Sequence, residues 1–100
     1  MEKGQRFNEG KPKWSLVHFG SLLGMVRVLM FGARKYAPDN WKKEMDMKEL
    51  LESAMRHLTA AIDGEELDAE TGETHISHMM CNGMFWQYHY DKQQNKKKKK

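Results

Sequence analysis

The sequence predicts an all-α protein with three helices in one domain. Apolar residues recur every three or four positions along three stretches, which is the spacing that gathers them on one face of a helix. β-branched residues do not alternate over four or more positions, as they would in strands. A chain of 100 residues buries only a modest core by itself, so we expect copies to associate into a helical-bundle homo-oligomer.

The first helix is predicted to follow an extended arm. Residues 1–14 are polar and are interrupted by glycine and proline. From Leu16 to Met30 the apolar residues then follow helical spacing. Gly20 and Gly24 each lower helix propensity by about 1 kcal/mol relative to alanine, so we interpret them as points of close helix packing.

The second helix has recognisable ends. Asp46 is a suitable N-cap, and Glu49 stands three positions beyond it, as in a capping box. Gly64 is a suitable residue for the turn that ends the helix. The predicted buried stripe consists of Leu50, Leu51, Ala54, Leu58, Ala61 and Ile62.

The third helix is predicted to begin after Thr74, whose hydroxyl can cap it, and to run to about Asp91. The helical domain therefore covers 15–91. Residues 92–100 end in five lysines, and a run of like charges predicts a disordered tail.

Charge and composition exclude several classes of protein. The net charge is +3, and removing the five terminal lysines leaves −2, so the body is not basic and nucleic-acid binding beyond weak contact by the tail is not expected. No apolar run is long enough to cross a membrane, and the N-terminus has no apolar signal segment. Cys81 is the only cysteine, which excludes an intrachain disulfide. A cytoplasmic location is expected.

Four polar side chains share one face of the third helix, namely those of His75, His78, Asn82 and His89. Two histidines three residues apart can bind one metal ion or act as acid and base. Alternatively, His75 hydrates the first turn and His78 is a core histidine with its hydrogen bonds satisfied.

Carboxylates form a second pattern. The segments "ELLE", with Glu49 and Glu52, and "EELD", with Glu65 and Asp68, together offer four oxygen ligands to a divalent cation such as Mg²⁺. The alternative is an ion pair between Glu52 and Arg56 on a solvated helix face.

Two loops combine cations with aromatic rings. The basic residues are Lys11, Lys13, Arg34 and Lys35, and the aromatic residues are Trp14, Tyr36 and Trp41. Such side chains can pair with phosphate oxygens and stack on a base. Alternatively, the two tryptophans anchor the loops by packing over helix ends.

These motifs, in this order, resemble those of a known family. The segments are "FNEGKPKW", "FGARKYAPDNW" and "RHLTAAIDGEELDAETGETHISHMMCN". They resemble the phage dATP/dGTP diphosphohydrolase-like proteins, which are related to the all-α MazG-like nucleotide pyrophosphohydrolases. The resemblance covers roughly residues 7–90.

The resemblance implies a MazG-like helical fold that pairs as a dimer or higher oligomer, inside the bacterial host cell if the protein is a phage protein. It also implies binding of a purine nucleotide and cleavage of a purine (d)NTP into (d)NMP and pyrophosphate. The substrate-binding residues implied are Lys11, Arg34, Lys35, Tyr36, Asn40, Trp41 and Arg56. The catalytic residues implied are His57, His75, His78 and Asn82.

The predicted metal ligands combine the carboxylate pattern with the histidines: Glu49, Glu52, Glu65, Asp68, His75 and His78. MazG-like enzymes hold Mg²⁺ with E-x-x-E and E-x-x-D on facing helices, whereas the third helix here offers two histidines and an asparagine at that place. Carboxylates favour Mg²⁺ or Mn²⁺, and added nitrogen ligands would suit Mn²⁺, Co²⁺ or Zn²⁺.

Two other functions fit the same residues. A protein that binds a nucleotide or cyclic nucleotide and withholds this defence signal from the host would need the cations and aromatic rings but no metal. An interaction protein would use the methionine-rich helices as a partner surface. For the oligomer, the apolar residues expected to lack partners within one copy are Met80, Met84, Phe85 and Tyr88.

Overall fold

The computed structural model describes residues 4–7 and 9–98 and confirms the all-α class. Its α-helices are α1, Leu23–Lys35, α2, Met47–Ile62, and α3, His75–Lys98. Short 3-10 helices cover Trp14–Leu16, Phe19–Leu22 and Asn40–Lys42. The described residues contain no β-strand, only an isolated antiparallel bridge between Leu67 and Thr74.

The predicted start of the first helix was wrong. Val17 is extended, and the side chain of His18 accepts a hydrogen bond from the backbone N–H of Ser21. This bond caps a 3-10 turn that precedes α1, so the α-helix begins only at Leu23. A side chain that bonds its own backbone competes with the α-helical pattern, which apolar spacing does not reveal. Of the predicted arm, residues 1–3 and 8 lie outside the described residues.

Both ends of α2 and the start of α3 are confirmed. One carboxylate oxygen of Asp46 accepts hydrogen bonds from the backbone N–H groups of Lys48 and Glu49, at 2.9 and 3.3 Å. Gly64 follows α2 with a φ of +93°, which glycine adopts without strain. The hydroxyl of Thr74 accepts a hydrogen bond from Ser77 N at 3.1 Å and caps α3.

The predicted end of α3 was wrong. The helix continues beyond Asp91 to Lys98, so residues 92–98 are helical and not a disordered tail, while residues 99 and 100 lie outside the described residues. No glycine or proline interrupts this segment. Lysines in a last helical turn also interact favourably with the negative end of the helix dipole.

Helices α1 and α2 both pack against α3, and α2 makes the larger contact. Among the described hydrophobic residues only Leu50 and Cys81 are buried, together with the polar residues His75, Ser77 and His89. Three members of the predicted α2 stripe are therefore misplaced: Leu51, Leu58 and Ile62 are exposed. Because α2 packs mainly against α3, it buries a narrower strip than its apolar spacing predicts.

Helix α1 approaches α3 through a glycine, as the sequence predicted for Gly24. A Cβ atom on Gly24 would collide with the Oγ atom of Ser77. Gly20 has no such role, since its nearest side-chain neighbour is the ring of His18. The missing side chain at Gly24 thus permits the contact between α1 and α3.

The α1–α3 contact leads to a prediction. Gly24→Ala should lower the free energy of unfolding by about 1–3 kcal/mol, because the added methyl group forces the two helices apart. The matched control is Gly83→Ala, since a Cβ at Gly83 meets nothing within 4 Å. This control should stabilise the protein by up to about 1 kcal/mol through helix propensity. Urea denaturation measures both, and equal behaviour of the two variants would contradict the packing described.

No helix within the described residues combines the length and the apolar character needed to span a membrane.

Candidate functional site

Three histidines meet where α2 and α3 lie side by side. The Nδ1 atoms of His57 and His75 are 2.8 Å apart, so one of these nitrogens carries the proton that the other accepts. The rings of His57 and His78 are stacked, with centroids 4.4 Å apart and an interplanar angle of 9°. We call His57, His75 and His78 the histidine cluster.

The loop between α2 and α3 adds a hydroxyl group to the cluster. Asp68 N donates to Glu73 O at 2.8 Å, and Gly72 adopts a φ of +75° that closes the turn. This turn places the Oγ1 atom of Thr71 2.7 Å from Nε2 of His78. The hydroxyl of Thr71 also accepts a hydrogen bond from Glu73 N, which fixes its position.

Two carboxylates of the same loop face the cluster. Glu65 Oε1 lies 3.6 Å from Nε2 of His75, and Asp68 Oδ1 lies 3.7 Å from Nε2 of His78. Nε2 of His75 is buried and has no hydrogen-bond partner among the described residues. A buried polar atom without a partner is rare and is more common at functional sites. The loop therefore gives each of the two α3 histidines a nearby carboxylate.

Two histidines of the cluster, His57 and His78, favour the neutral imidazole. Burial lowers the pKa of His57 below its ordinary value of 6.5, and the neighbouring His78 and His75 lower it further. Burial also lowers the pKa of His78, and the carboxylate of Asp68 opposes this effect only in part. A neutral imidazole at neutral pH is able to accept a proton.

An apolar cavity of about 540 Å³ adjoins the cluster, within the range typical of small-molecule sites. It lies among α1, the loop that follows α1, and α3. Five of the predicted site residues line it: Lys35, Tyr36, Asn40, Trp41 and His78. The apolar wall includes Leu29, Phe31, Met45 and Phe85. The cavity therefore brings a predicted catalytic histidine to the predicted substrate-binding loop.

Trp41 serves both as a loop anchor and as a cavity wall. Its ring stacks on Phe85 at 4.8 Å and meets Tyr88 edge-on at 5.0 Å. The buried His89 holds the same residue, because its Nε2–H donates to the carbonyl oxygen of Trp41 at 2.8 Å. The anchoring role that the sequence left open is thus present. His89 shares a face with the other polar residues of α3 but contributes to the position of this loop.

Lys35 lines the cavity and is hydrogen-bonded to a glutamate. Its Nζ atom donates a hydrogen bond to Glu70 Oε2 at 3.1 Å and lies 5.4 Å from the centroid of the Tyr36 ring. The bond to Glu70 raises the pKa of Lys35, with Tyr36 adding to the effect. A phosphate group that binds Lys35 would therefore compete with the carboxylate of Glu70 for the ammonium group.

Asn82 and Arg56 do not line the cavity that His78 lines, although Asn82 shares a helix face with the histidines. They line an adjoining groove with Glu49 and Ser53, and three residues belong to both linings: Asn40, Met45 and Phe85. The side-chain amide of Asn82 donates to the hydroxyl of Ser53 at 3.2 Å. Residues on one helix face, seven positions apart, lie two turns apart and so meet different neighbours.

The six predicted metal ligands do not meet within one chain. Glu49 and Glu52 lie in the first half of α2, whereas Glu65 and Asp68 follow its end; at about 1.5 Å per residue, Glu52 lies about 15 Å from that end. Among the described residues, no group of three or more metal-binding side chains is arranged to hold an ion. The pairs His75–Glu65 and His78–Asp68 therefore do not form a complete metal site.

Besides Arg56, two predicted substrate-binding residues lie apart from the cavity lining. Lys11 is exposed in the segment before the first 3-10 helix, and Arg34 is exposed in the last turn of α1. Thr71 and Glu70 were not among the predicted site residues, because only Glu65 and Asp68 were selected from the acidic connection between α2 and α3. The Thr-Gly pair within that connection was the available signal of a tight turn.

The fold and the site define an all-α protein with a histidine cluster beside a nucleotide-sized cavity. The chain belongs to the dATP/dGTP diphosphohydrolase family, since residues 1–100 match the family described as "dATP/dGTP diphosphohydrolase, N-terminal". A protein of Salmonella phage PMBT28 with the name dATP/dGTP diphosphohydrolase is 32% identical over 82 residues. The match covers 82% of this chain but 28% of that protein, so the chain spans less than a third of this curated relative. No solved structure matches the chain.

The lowered pKa values lead to a prediction of stability against pH. Well above pH 6.5, His57 and His78 are neutral in both the folded and the unfolded chain, and they add no pH dependence. Below pH 6.5 the unfolded chain takes up the proton first, so the free energy of unfolding should fall with falling pH until the lowered pKa values of His57 and His78 are passed.

Thermal denaturation at a series of pH values measures this effect. His57→Gln should reduce the loss of stability on acidification, because it removes one of the two histidines whose pKa is lowered. A wild-type protein equally stable on both sides of pH 6.5 would show that His57 and His78 are not held neutral.

Proposed function

We propose that the protein is a nucleotide pyrophosphohydrolase that converts a purine (d)NTP into (d)NMP and pyrophosphate. Membership of the dATP/dGTP diphosphohydrolase family and the name of the phage relative support the class of reaction. The observation that carries the proposal for this chain is the cavity, because its lining contains both Lys35 and His78. One ligand could therefore reach a cation for its phosphates and a neutral imidazole for the chemistry.

The base would bind among the aromatic and apolar side chains of the cavity. Tyr36, Trp41 and Phe85 line it, and an aromatic ring stacks on any base because every base has a π-face. Asn40 is a lining residue with a donor and an acceptor, which is the chemistry that distinguishes one base edge from another. In this proposal the base binds to the loop that follows α1.

The triphosphate would bind at Lys35. A triphosphate requires its charge to be neutralised before water attacks it. Lys35 would exchange its hydrogen bond to Glu70 for phosphate oxygens, and Glu70 would move into solvent. Arg56 lies in the neighbouring groove and would help only if the phosphates extend that far.

His78 would act as the general base. With Nε2–H donating to the hydroxyl of Thr71, the unprotonated Nδ1 of His78 would take the proton of a water molecule while the water oxygen attacks the α-phosphorus. The bond from the α-phosphorus to the bridging oxygen then breaks, and pyrophosphate leaves with that electron pair. The hydroxyl of Thr71, 2.7 Å from Nε2, orients the ring, and the stacked His57 supports it.

The need for a divalent ion is part of what must be tested. Mg²⁺ or Mn²⁺ would neutralise phosphate oxygens when bound, and Co²⁺ or Zn²⁺ are the alternatives that nitrogen ligands suggest. Because the donors within one chain do not complete a site, the role proposed for His78 involves no metal ion.

Product analysis tests the proposal directly. The protein is incubated with dATP, dGTP and ATP, with and without Mg²⁺ or Mn²⁺, and the products are separated. We expect the monophosphate and pyrophosphate from a purine substrate. Intact nucleotide that stays tightly bound would contradict the catalytic proposal and support a binding protein that sequesters nucleotides.

A substitution tests the role of His78. His78→Ala should lower turnover by about 10²–10⁴-fold, the usual contribution of a general base. Its melting temperature should fall by less than for a substitution in the core, because the ring lines the cavity and loses only the hydrogen bond to Thr71 and the contact with His57. His18→Ala is the matched control: His18 lies outside the cavity and should retain full turnover.

The two readouts separate this role from a purely structural one. If His78 were only a packing residue, the variant would be destabilised, and turnover would fall in proportion to the unfolded fraction. A destabilised variant with full activity per folded molecule would show that the assignment of His78 is wrong.

A further inference from the structure

The last two turns of α3 extend past the contacts that hold this helix to the rest of the chain. Among the described residues, the hydrogen bond from His89 to the carbonyl oxygen of Trp41 is the last side-chain bond from α3 to another element. Residues 91–98 continue the helix, and all of them are exposed except Gln94, which is half-buried. At about 1.5 Å per residue this segment is about 12 Å long. We call residues 91–98 the arm.

The arm concentrates positive charge. Its only carboxylate, Asp91, accepts a hydrogen bond from the amide of Gln87 in the preceding turn. Four of its residues are lysines, and none of them forms an ion pair within the described part of the chain: Lys92, Lys96, Lys97 and Lys98. The net charge of the chain is +3, but residues 92–100 contain six lysines, so residues 1–91 carry −3. A polyanion would therefore be attracted to this end of α3 and repelled by the rest of the chain.

The lysines of the arm repel one another. Lys92 and Lys96 are four residues apart, and Lys96, Lys97 and Lys98 are consecutive. Like charges at these spacings destabilise an isolated helix. A bound polyanion would remove the repulsion, so binding and helical order in the arm would favour each other.

An aromatic pair lies on the same helix face as one of these lysines. The rings of Trp86 and Tyr90 are stacked, with centroids 5.1 Å apart and an interplanar angle of 11°. Tyr90 is 40% exposed, so part of its ring is open to a ligand. Lys97 follows Tyr90 by seven residues, or two helical turns, and shares its face. The separation along the axis is about 10 Å, which equals about three phosphate intervals of a strand with stacked bases.

The composition of the arm favours nucleic acid over a membrane surface. Its remaining residues are the amides Gln93, Gln94 and Asn95, and it contains no apolar residue. A helix that lies on a membrane needs apolar side chains that enter the acyl boundary. Amide side chains instead donate to and accept from bases, sugars and phosphates. An exposed aromatic ring beside lysines is typical of sites for single strands, whose bases are free to stack.

We propose that the arm binds single-stranded nucleic acid, with its lysines on the phosphates and Tyr90 stacked on a base. The sequence analysis expected only weak contact from a disordered tail. A segment that is already helical loses less conformational entropy on binding, and the helix aligns its lysines with the aromatic pair. The proposal does not depend on the proposed hydrolysis, because no residue of the arm lines the cavity.

Fluorescence anisotropy measures the binding. The whole chain is titrated into a labelled single-stranded oligonucleotide of about 20 nucleotides at several salt concentrations. The logarithm of the binding constant should fall linearly with the logarithm of the salt concentration, by about 0.7 for each phosphate neutralised. Changing Lys96, Lys97 and Lys98 together to Gln should reduce this slope by about 2 and weaken binding at low salt by roughly tenfold or more.

The matched control removes the same charge elsewhere. Lys13, Lys43 and Lys48 are exposed and lie outside the arm, and changing all three to Gln should leave the slope and the affinity near those of the wild type. Gln and Lys have similar helix propensities, so the arm variant alters charge rather than helical structure. Equal losses in the two triple variants would show that net charge alone governs binding, and would overturn the proposal.

Tyr90 tests the preference for single strands. Tyr90→Ala should weaken binding of the single strand by roughly fivefold or more without changing the salt slope, because stacking releases no counterions. Tyr90→Phe keeps the ring and should bind like the wild type. A duplex of the same sequence should bind more weakly than the single strand, and Tyr90→Ala should leave its binding unchanged, because its bases are paired.

Four further results would overturn the proposal. They are no binding of the oligonucleotide at low salt, equal affinity for the duplex and the single strand, and a loss by Tyr90→Phe as large as that by Tyr90→Ala. The fourth is tighter binding to vesicles of phosphatidylserine and phosphatidylcholine than to the oligonucleotide, which would assign the arm to a membrane surface.

Discussion

Most packing between the helices of the chain depends on α3. Helix α2 lies along it, α1 reaches it at the contact between Gly24 and Ser77, and the loop before α2 lies on it through Trp41. Because other segments contact α3 from several directions, most residues in its first four turns are buried or half-buried. Its buried residues therefore include polar ones, and each position has a different neighbour.

Hydrogen bonds and ring stacking consequently specify much of the arrangement. His89 donates to the carbonyl of Trp41, His75 shares a proton with His57, and Ser77 lies against the hydroxyl of Thr74. Buried polar groups stabilise a fold only when they are paired, but they also select one geometry because their bonds are directional. Because few apolar residues of this chain are buried, directional hydrogen bonds contribute more to its specific geometry than they would in a larger domain.

The same geometry connects the fold to the family. The turn at Gly72 brings Thr71 to His78, and the contact of α2 with α3 stacks His57 on that ring. The cavity then joins these groups to Lys35 and the aromatic loop. The chain belongs to the dATP/dGTP diphosphohydrolase family, and the lowered pKa of His78 leaves a neutral imidazole that is able to accept a proton. Among the described residues, the carboxylates on α2 do not form a metal-binding group with these histidines.

The sequence by itself determined the helical class, both ends of α2 and the start of α3. These features depend on residues within a few positions of one another: the Asp46 carboxylate bonds N–H groups two and three residues ahead, and Thr74 bonds Ser77. The sequence motifs also identified the loop residues that line the cavity, from Lys35 to Trp41. Tertiary structure decided the rest. It brought His57 to His75 across 18 positions, separated Asn82 from the histidines, and left the outer faces of α1 and α2 exposed. Helical periodicity describes which residues share a face, but which other element covers that face depends on contacts between distant segments, and local spacing contains no information about them.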